Sequence, residues 1–187
     1  MITWNDDCSK EIKSRIGKAN GAVTKLHKTW NRKGIRLETK LKLLIACVFS
    51  VLLYACETWT IKRRDQEAIN VFETRCYRRL LKIHVTQKVT NSEFKRRLGV
   101  EVDIFQRLME RKMNFFGHAC RMSDDRLIKT VIFGEMEGTN RRGRPRREWL
   151  NDIHEWCNMD VYNLYTTSNN REEWSTIVRA SVDTNGH

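Results

Sequence analysis

An all-α fold is predicted by three features of the 187 residues. Apolar residues recur at steps of three and four through most of the chain, which draws one stripe down the side of a helix. No stretch alternates apolar and polar residues long enough to demand a strand. A single proline and nine glycines leave few breaks. The expected architecture is a multi-helix bundle carrying one basic, arginine-rich loop.

Each element has its own signal. From residue 11, Ile12, Ile16, Ala19, Val23, Leu26 and Trp30 form a single stripe, with Lys10, Lys13, Lys18, Lys25 and Lys28 off it. This predicts an amphipathic helix with a basic outer surface, stopping between Asn31 and Gly34, where asparagine and glycine favour a C-terminal cap. Leu41, Leu44, Ile45, Val48, Phe49 and Leu52 predict a second helix over about 38–54 with few polar faces, expected to be the most buried element. A third pattern over about 65–82 places Ile69, Phe72, Cys76 and Leu80 inward and Arg75, Arg78, Arg79 and Lys82 mainly outward, with Asp65 as N-cap.

Thr90-Asn91-Ser92-Glu93 has capping-box spacing and opens a short helix ended by Gly99. A longer helix over about 103–121 follows, interrupted at Gly117. The turn at residues 99–102 has the spacing of a helix-turn-helix, which any short helical hairpin shares. Ser123, Asp124 and Asp125 are expected to cap a helix reaching Phe133. Pro145 suits a first helical turn, and Trp149, Leu150, Ile153 and Trp156 mark the buried face of the helix after it. Tyr162, Leu164, Trp174, Ile177 and Val178 predict one or two further helices before a frayed polar tail from Asp183.

Lys and Arg exceed Asp and Glu by 35 to 23, a formal charge of +12, and the excess runs from end to end. Such a balance favours a polyanionic partner. The six cysteines, Cys8, Cys47, Cys56, Cys76, Cys120 and Cys157, are widely spaced with no C-x-x-C pair and no secretory leader before them, which fits reduced thiols in a nuclear or cytoplasmic protein that is not secreted. The most apolar run, residues 41–56, contains Lys42 and falls short of the roughly 20 residues needed to span a bilayer. No membrane partner is expected.

The densest positive charge lies in Thr139-Asn140-Arg141-Arg142-Gly143-Arg144-Pro145-Arg146-Arg147-Glu148-Trp149. Arginine presents a planar fork of donors that never deprotonates and matches phosphate oxygens, so arginines clustered around a flexible glycine suit a nucleic acid. Arg141, Arg142, Arg144, Arg146 and Arg147 are the candidate binding residues here, with Lys25, Lys28, Arg78 and Arg79 as contributors from helix faces. Arg142-Gly143-Arg144-Pro145 with Arg146 also matches the core of an AT-hook, in which glycine lets the backbone approach the minor-groove floor. The plainer reading is that glycine and proline end one helix and begin another.

Signals for catalysis are weak. Asp124-Asp125 has the look of a magnesium-binding pair, but its flanks read as a helix start rather than a strand hairpin. His118 with Cys120 and His154 with Cys157 carry zinc-ligand types, yet His-x-Cys on a helix points its side chains apart. No phosphate-binding glycine loop, G-x-S-x-G elbow or paired catalytic carboxylates stand at a persuasive spacing.

Several segments, taken in order, resemble the C-terminal end of the endonuclease–reverse transcriptase polyprotein of LINE-like non-LTR retrotransposons. They are Arg15-Ile16-Gly17-Lys18-Ala19 with Leu26 and Trp30, Thr39-Lys40-Leu41-Lys42-Leu43, and Val51-Leu52-Leu53-Tyr54-Ala55-Cys56-Glu57-Thr58-Trp59-Thr60. Phe72-Glu73-Thr74-Arg75-Cys76-Tyr77-Arg78-Arg79-Leu80-Leu81, Asn114-Phe115-Phe116-Gly117-His118, and Arg142-Gly143-Arg144-Pro145-Arg146 leading to Trp149 complete the series. The resemblance covers about residues 10–180. It implies a parent RNA-directed DNA polymerase with an endonuclease, requiring magnesium. Nothing here matches the polymerase's aspartate-pair motif or the acids of the endonuclease. The chain is therefore expected to be noncatalytic alone and to need no cofactor, with residues 1–60 a thumb-like region and 61–187 a C-terminal helical extension carrying the basic loop 139–147.

Three functions follow as expectations. The chain is a noncatalytic binder of DNA or RNA derived from such a reverse transcriptase, or a domesticated chromatin protein using the AT-hook-like motif, or a helical protein-interaction module.

Overall fold

A computed structural model gives the fold and describes residues 8–84, 86–134 and 147–185. Every regular element among them is helical, as the spacing predicts. The elements are α1 (Ser9–Lys25), α2 (His27–Asn31), α3 (Leu37–Leu44), a π-helical turn (Ile45–Phe49), α4 (Ser50–Leu52), a 3₁₀ turn (Cys56–Thr58), α5 (Arg63–Leu81), α6 (Asn91–Leu98), α7 (Ile104–Cys120), α8 (Leu127–Phe133), α9 (Trp149–Cys157), α10 (Val161–Asn169) and α11 (Arg171–Asn185). None is long and apolar enough to cross a membrane among the described residues.

The chain divides into two compact units, Met1–Cys56 with Ile61–Arg107, and Glu57–Thr60 with Leu108–His187. The division differs from the boundary at 60/61 drawn from sequence. Residues 61–107 pack with the N-terminal helices because α5 and α6 bring Ile69, Phe72, Leu80 and Phe94 to the same core as Ile12, Leu44, Phe49 and Leu52.

In the first unit the expected N-terminal helix breaks at Leu26, whose backbone leaves helical geometry. The indole of Trp30 turns back and donates to the carbonyl of Val23 at 2.8 Å, so a bulky apolar side chain closes the end of α1. Lys40, nearly buried, donates to the carbonyl of Trp30 at 2.9 Å and ties α3 to the end of α2. The helix expected over 38–54 becomes α3, a widened π turn and α4. It buries Leu44, Val48, Phe49, Leu52 and Leu53 but exposes Ala46, Cys47 and Ser50, so it is amphipathic rather than buried all round.

Helix α5 starts two residues before Asp65, so this aspartate is not the N-cap. It reaches back instead, its Oδ2 accepting from the amide of Lys62 at 3.3 Å and from Ser9 Oγ at 2.9 Å. Thr90 caps α6 as expected, accepting from the Glu93 amide at 3.4 Å, and Gly99 ends it with φ +62°. The glutamate half of the box is spent elsewhere, on Arg96 and Arg97.

Glu73 of α5 caps the neighbouring helix. Its Oε1 accepts from the Ile104 amide at the start of α7 (3.0 Å) and from the Tyr77 hydroxyl (2.7 Å). Burial is the main cause that pushes its carboxyl up to about 7, with the Asp103 carboxylate adding to the rise; the Tyr77 and Ile104 bonds and the charge of Lys95 oppose it.

The second unit is built on α7 from Leu108 onward. Its core holds Leu108, Met113, Phe116, Ala119, Ile153, Leu164, Trp174 and Val178. Phe116 meets the rings of Phe133, Trp149 and Trp174 at centroid distances of 6.0, 6.4 and 5.4 Å. Gly117 does not interrupt α7. A Cβ there would land on the Trp174 indole, whose Nε1 donates to the Met113 carbonyl at 3.0 Å, so the glycine makes room for a ring on α11. Ser123 and Asp125 do not cap α8, whose N-cap is Arg126, and Asp124 accepts instead from Lys129 Nζ at 2.6 Å. Of the tail expected to fray from Asp183, residues 183–185 belong to α11 and 186–187 lie outside the described residues.

Gly117→Ala is expected to cost about 1–3 kcal/mol by overpacking against Trp174. Thermal denaturation of the variant and of Gly117→Ala/Trp174→Phe checks this, the smaller ring recovering part of the loss. Glu73 holds its proton more tightly folded than unfolded, so its contribution to stability is fully present below about pH 4.5 and is lost as pH rises through about 7. Urea unfolding across that window should show wild-type stability declining relative to Glu73→Gln; parallel profiles would refute the assignment.

Candidate nucleic-acid interface

In the first unit, residues 12–37 contain eight basic residues and no Asp or Glu. Helix α1 and the segment after it bury Ile12, Ala19, Val23 and Trp30, which turns Lys13, Lys18, Lys25, Lys28, Arg32, Lys33 and Arg36 to the exposed surface. None of these seven is ion-paired among the described residues, whereas Arg15 is bonded to Glu11 at 2.7 Å and stacks on the Tyr54 ring. Lys25 and Lys28 thus lie within a longer basic run than their place on a helical wheel indicated. Arg32, Lys33 and Arg36 escaped notice because they fall between helices, where periodicity carries no information; the absence of acids was the available signal.

The aromatic side chains described in this unit are buried, Tyr54 excepted. The basic surface accordingly offers many charges and few flat rings, Tyr54 beneath Arg15 and the exposed His27 being those beside it, and suits contacts to phosphates better than stacking on bases.

Arg79 and Arg78 lie on α5. Arg79 is exposed. Arg78 is half-buried, donates through Nη1 to the carbonyls of His84 (3.0 Å) and Gln87 (3.4 Å), and packs over the Phe94 ring at 4.9 Å. Its guanidinium is engaged in holding the turn after α5.

In the second unit, Arg141, Arg142, Arg144 and Arg146, with Pro145, lie outside the described residues. Arg147, the last arginine of the basic loop, is described. Its Nε donates to Asp152 Oδ1 at 2.8 Å, and Nη1 and Nη2 grip Glu155 at 2.7 and 2.6 Å. The i to i+5 and i to i+8 separations carry the fork from two residues before α9 onto its first two turns. The bonds to Glu155 first, and then those to Asp152, raise the guanidinium pKa, while Arg147 holds the Glu155 carboxyl below the usual range.

Behind that clamp lies a fully buried ion pair. Lys112 Nζ of α7 donates to Asp152 Oδ2 at 2.5 Å and to the Trp59 carbonyl at 2.8 Å, with no exposure of either charged side chain. The ammonium also lies 4.7 and 5.5 Å from the ring centroids of Trp149 and Trp156. Trp149 Nε1 donates to the Glu57 carbonyl at 2.8 Å. No sequence signal marked Lys112, one of many lysines on amphipathic helices.

Among the described residues no group of three His, Cys, Asp or Glu side chains is placed to hold a metal ion. Comparisons with models of known families, with curated proteins and with solved structures returned no match.

Lys112→Met removes one partner of the buried pair and is expected to cost about 3–5 kcal/mol. Equilibrium urea unfolding checks it, and Lys112→Met/Asp152→Leu should recover a large part of the loss because no buried charge is then left uncompensated by Lys112.

Proposed function

We propose that this chain is a noncatalytic nucleic-acid-binding piece of a LINE-like retrotransposon reverse transcriptase polyprotein, which grips DNA or RNA through phosphates. The observation that carries the reading is the acid-free stretch 12–37, whose seven exposed cations, without an ion pair among the described residues, concentrate charge on one unit of a protein with net charge +12. The ordered segments that resemble the retrotransposon family support the same reading. The arginine loop supplies a second concentration of charge on the chain.

Fixed cations displace counterions condensed on a nucleic acid, so affinity falls steeply with salt and depends little on base sequence. Arginines in the loop add bidentate phosphate contacts where they are not already engaged by carboxylates. The chemistry is binding alone: the polymerase and endonuclease acts belong to the parent polyprotein that the resemblance implies.

Binding of the purified protein to labelled DNA duplex, RNA duplex and RNA–DNA hybrid across a salt series tests this. Replacing Arg141, Arg142, Arg144 and Arg146 by alanine should flatten the log–log slope by about 3.6 if each meets one phosphate. A residual slope is expected from the basic run of the first unit. No binding to any of the three at low salt would overturn the reading.

A further inference from the structure

The clamp on Arg147 has two unlike halves. Asp152 is fully buried, and its other oxygen is held by Lys112, so this carboxylate has nowhere to go. Glu155 is more than half exposed, at 56%, and meets only the outer edge of the guanidinium, Nη1 and Nη2, in a two-bond fork. That outer edge is the one arginine uses to take two oxygens of a phosphate. A phosphate arriving there would leave the bond from Nε to Asp152 intact and would release Glu155 to water, where an exposed carboxylate is well solvated.

We propose that Glu155 is an internal competitor for the phosphate-binding edge of Arg147, a carboxylate seated where a nucleic-acid phosphate would sit. The inference rests on the nucleic-acid reading above and adds to it a residue that lowers affinity. Arg147 is anchored by Asp152 in the orientation that binding needs, and Glu155 masks it until a polyanion displaces the carboxylate. The masking favours partners with several phosphates in reach, because a weak or solitary anion does not outcompete a tethered carboxylate.

The test compares the full chain with Glu155→Gln and with Glu148→Gln, using one DNA duplex across a salt series. Glu148 is exposed, one residue from Arg147, and forms no ion pair among the described residues, so its variant changes net charge equally without touching the clamp. Glu155→Gln should bind more tightly at low salt, with a log–log slope steeper by about 0.9, one added phosphate contact. Glu148→Gln should shift affinity less and leave the slope near wild type. Unchanged thermal midpoints confirm that both variants fold. Equal effects of the two variants, or no effect of Glu155→Gln, would overturn the competition while leaving the nucleic-acid reading standing. Failure of all three proteins to bind at low salt would overturn both.

Discussion

The second unit depends on one buried bond, between the Lys112 ammonium and the Asp152 carboxylate. Removing two charges from water costs several kcal/mol per ion, and attraction offsets it only when the remaining donors and acceptors are also satisfied. Here the backbone carbonyl of Trp59 takes another lysine proton and Arg147 takes the second carboxylate oxygen. Three distant stretches, residues 57–60, α7 and α9, are held to one point. Because Arg147 belongs to that point, its place is fixed by the core of the unit.

The first unit solves its polar problems differently, at helix ends rather than in the centre of its core. Trp30 closes α1, Lys40 closes α2, Thr90 and Gly99 bound α6, and Glu73 starts α7. Its apolar and aromatic side chains are thereby free to fill the interior. The basic residues of α1 and α2 are left with little to bond within the unit, and a helix surface with no acids nearby keeps its positive potential instead of neutralising it. Charge that a soluble protein normally disperses is retained over residues 12–37.

Helical periodicity made most of the fold legible, and caps with side-chain oxygens at the right offset, as at Thr90, could be read directly. Misreadings share a cause. Gly117 was expected to break α7, and Asp124 to cap α8, because sequence reports what a residue prefers locally and not which distant group comes to meet it. Trp174 is 57 positions from Gly117, and Lys112 is 40 from Asp152. The arginine loop showed as a dense charge run, but the acids that engage its last member were invisible as partners, since Asp152 and Glu155 read as ordinary positions on an amphipathic helix. Charge composition pointed to the kind of partner and could not say which cations were already spent.

The indoles around Lys112 make that buried bond observable by light. Trp149 and Trp156 lie within 5.5 Å of an ammonium bonded to a carboxylate that it shares with Arg147. An indole's excited state carries a much larger dipole than its ground state, so a charge fixed beside the ring shifts its emission. Loosening of the pair therefore changes the colour of the protein's fluorescence, and the second unit carries its own optical gauge of the electric field at its centre.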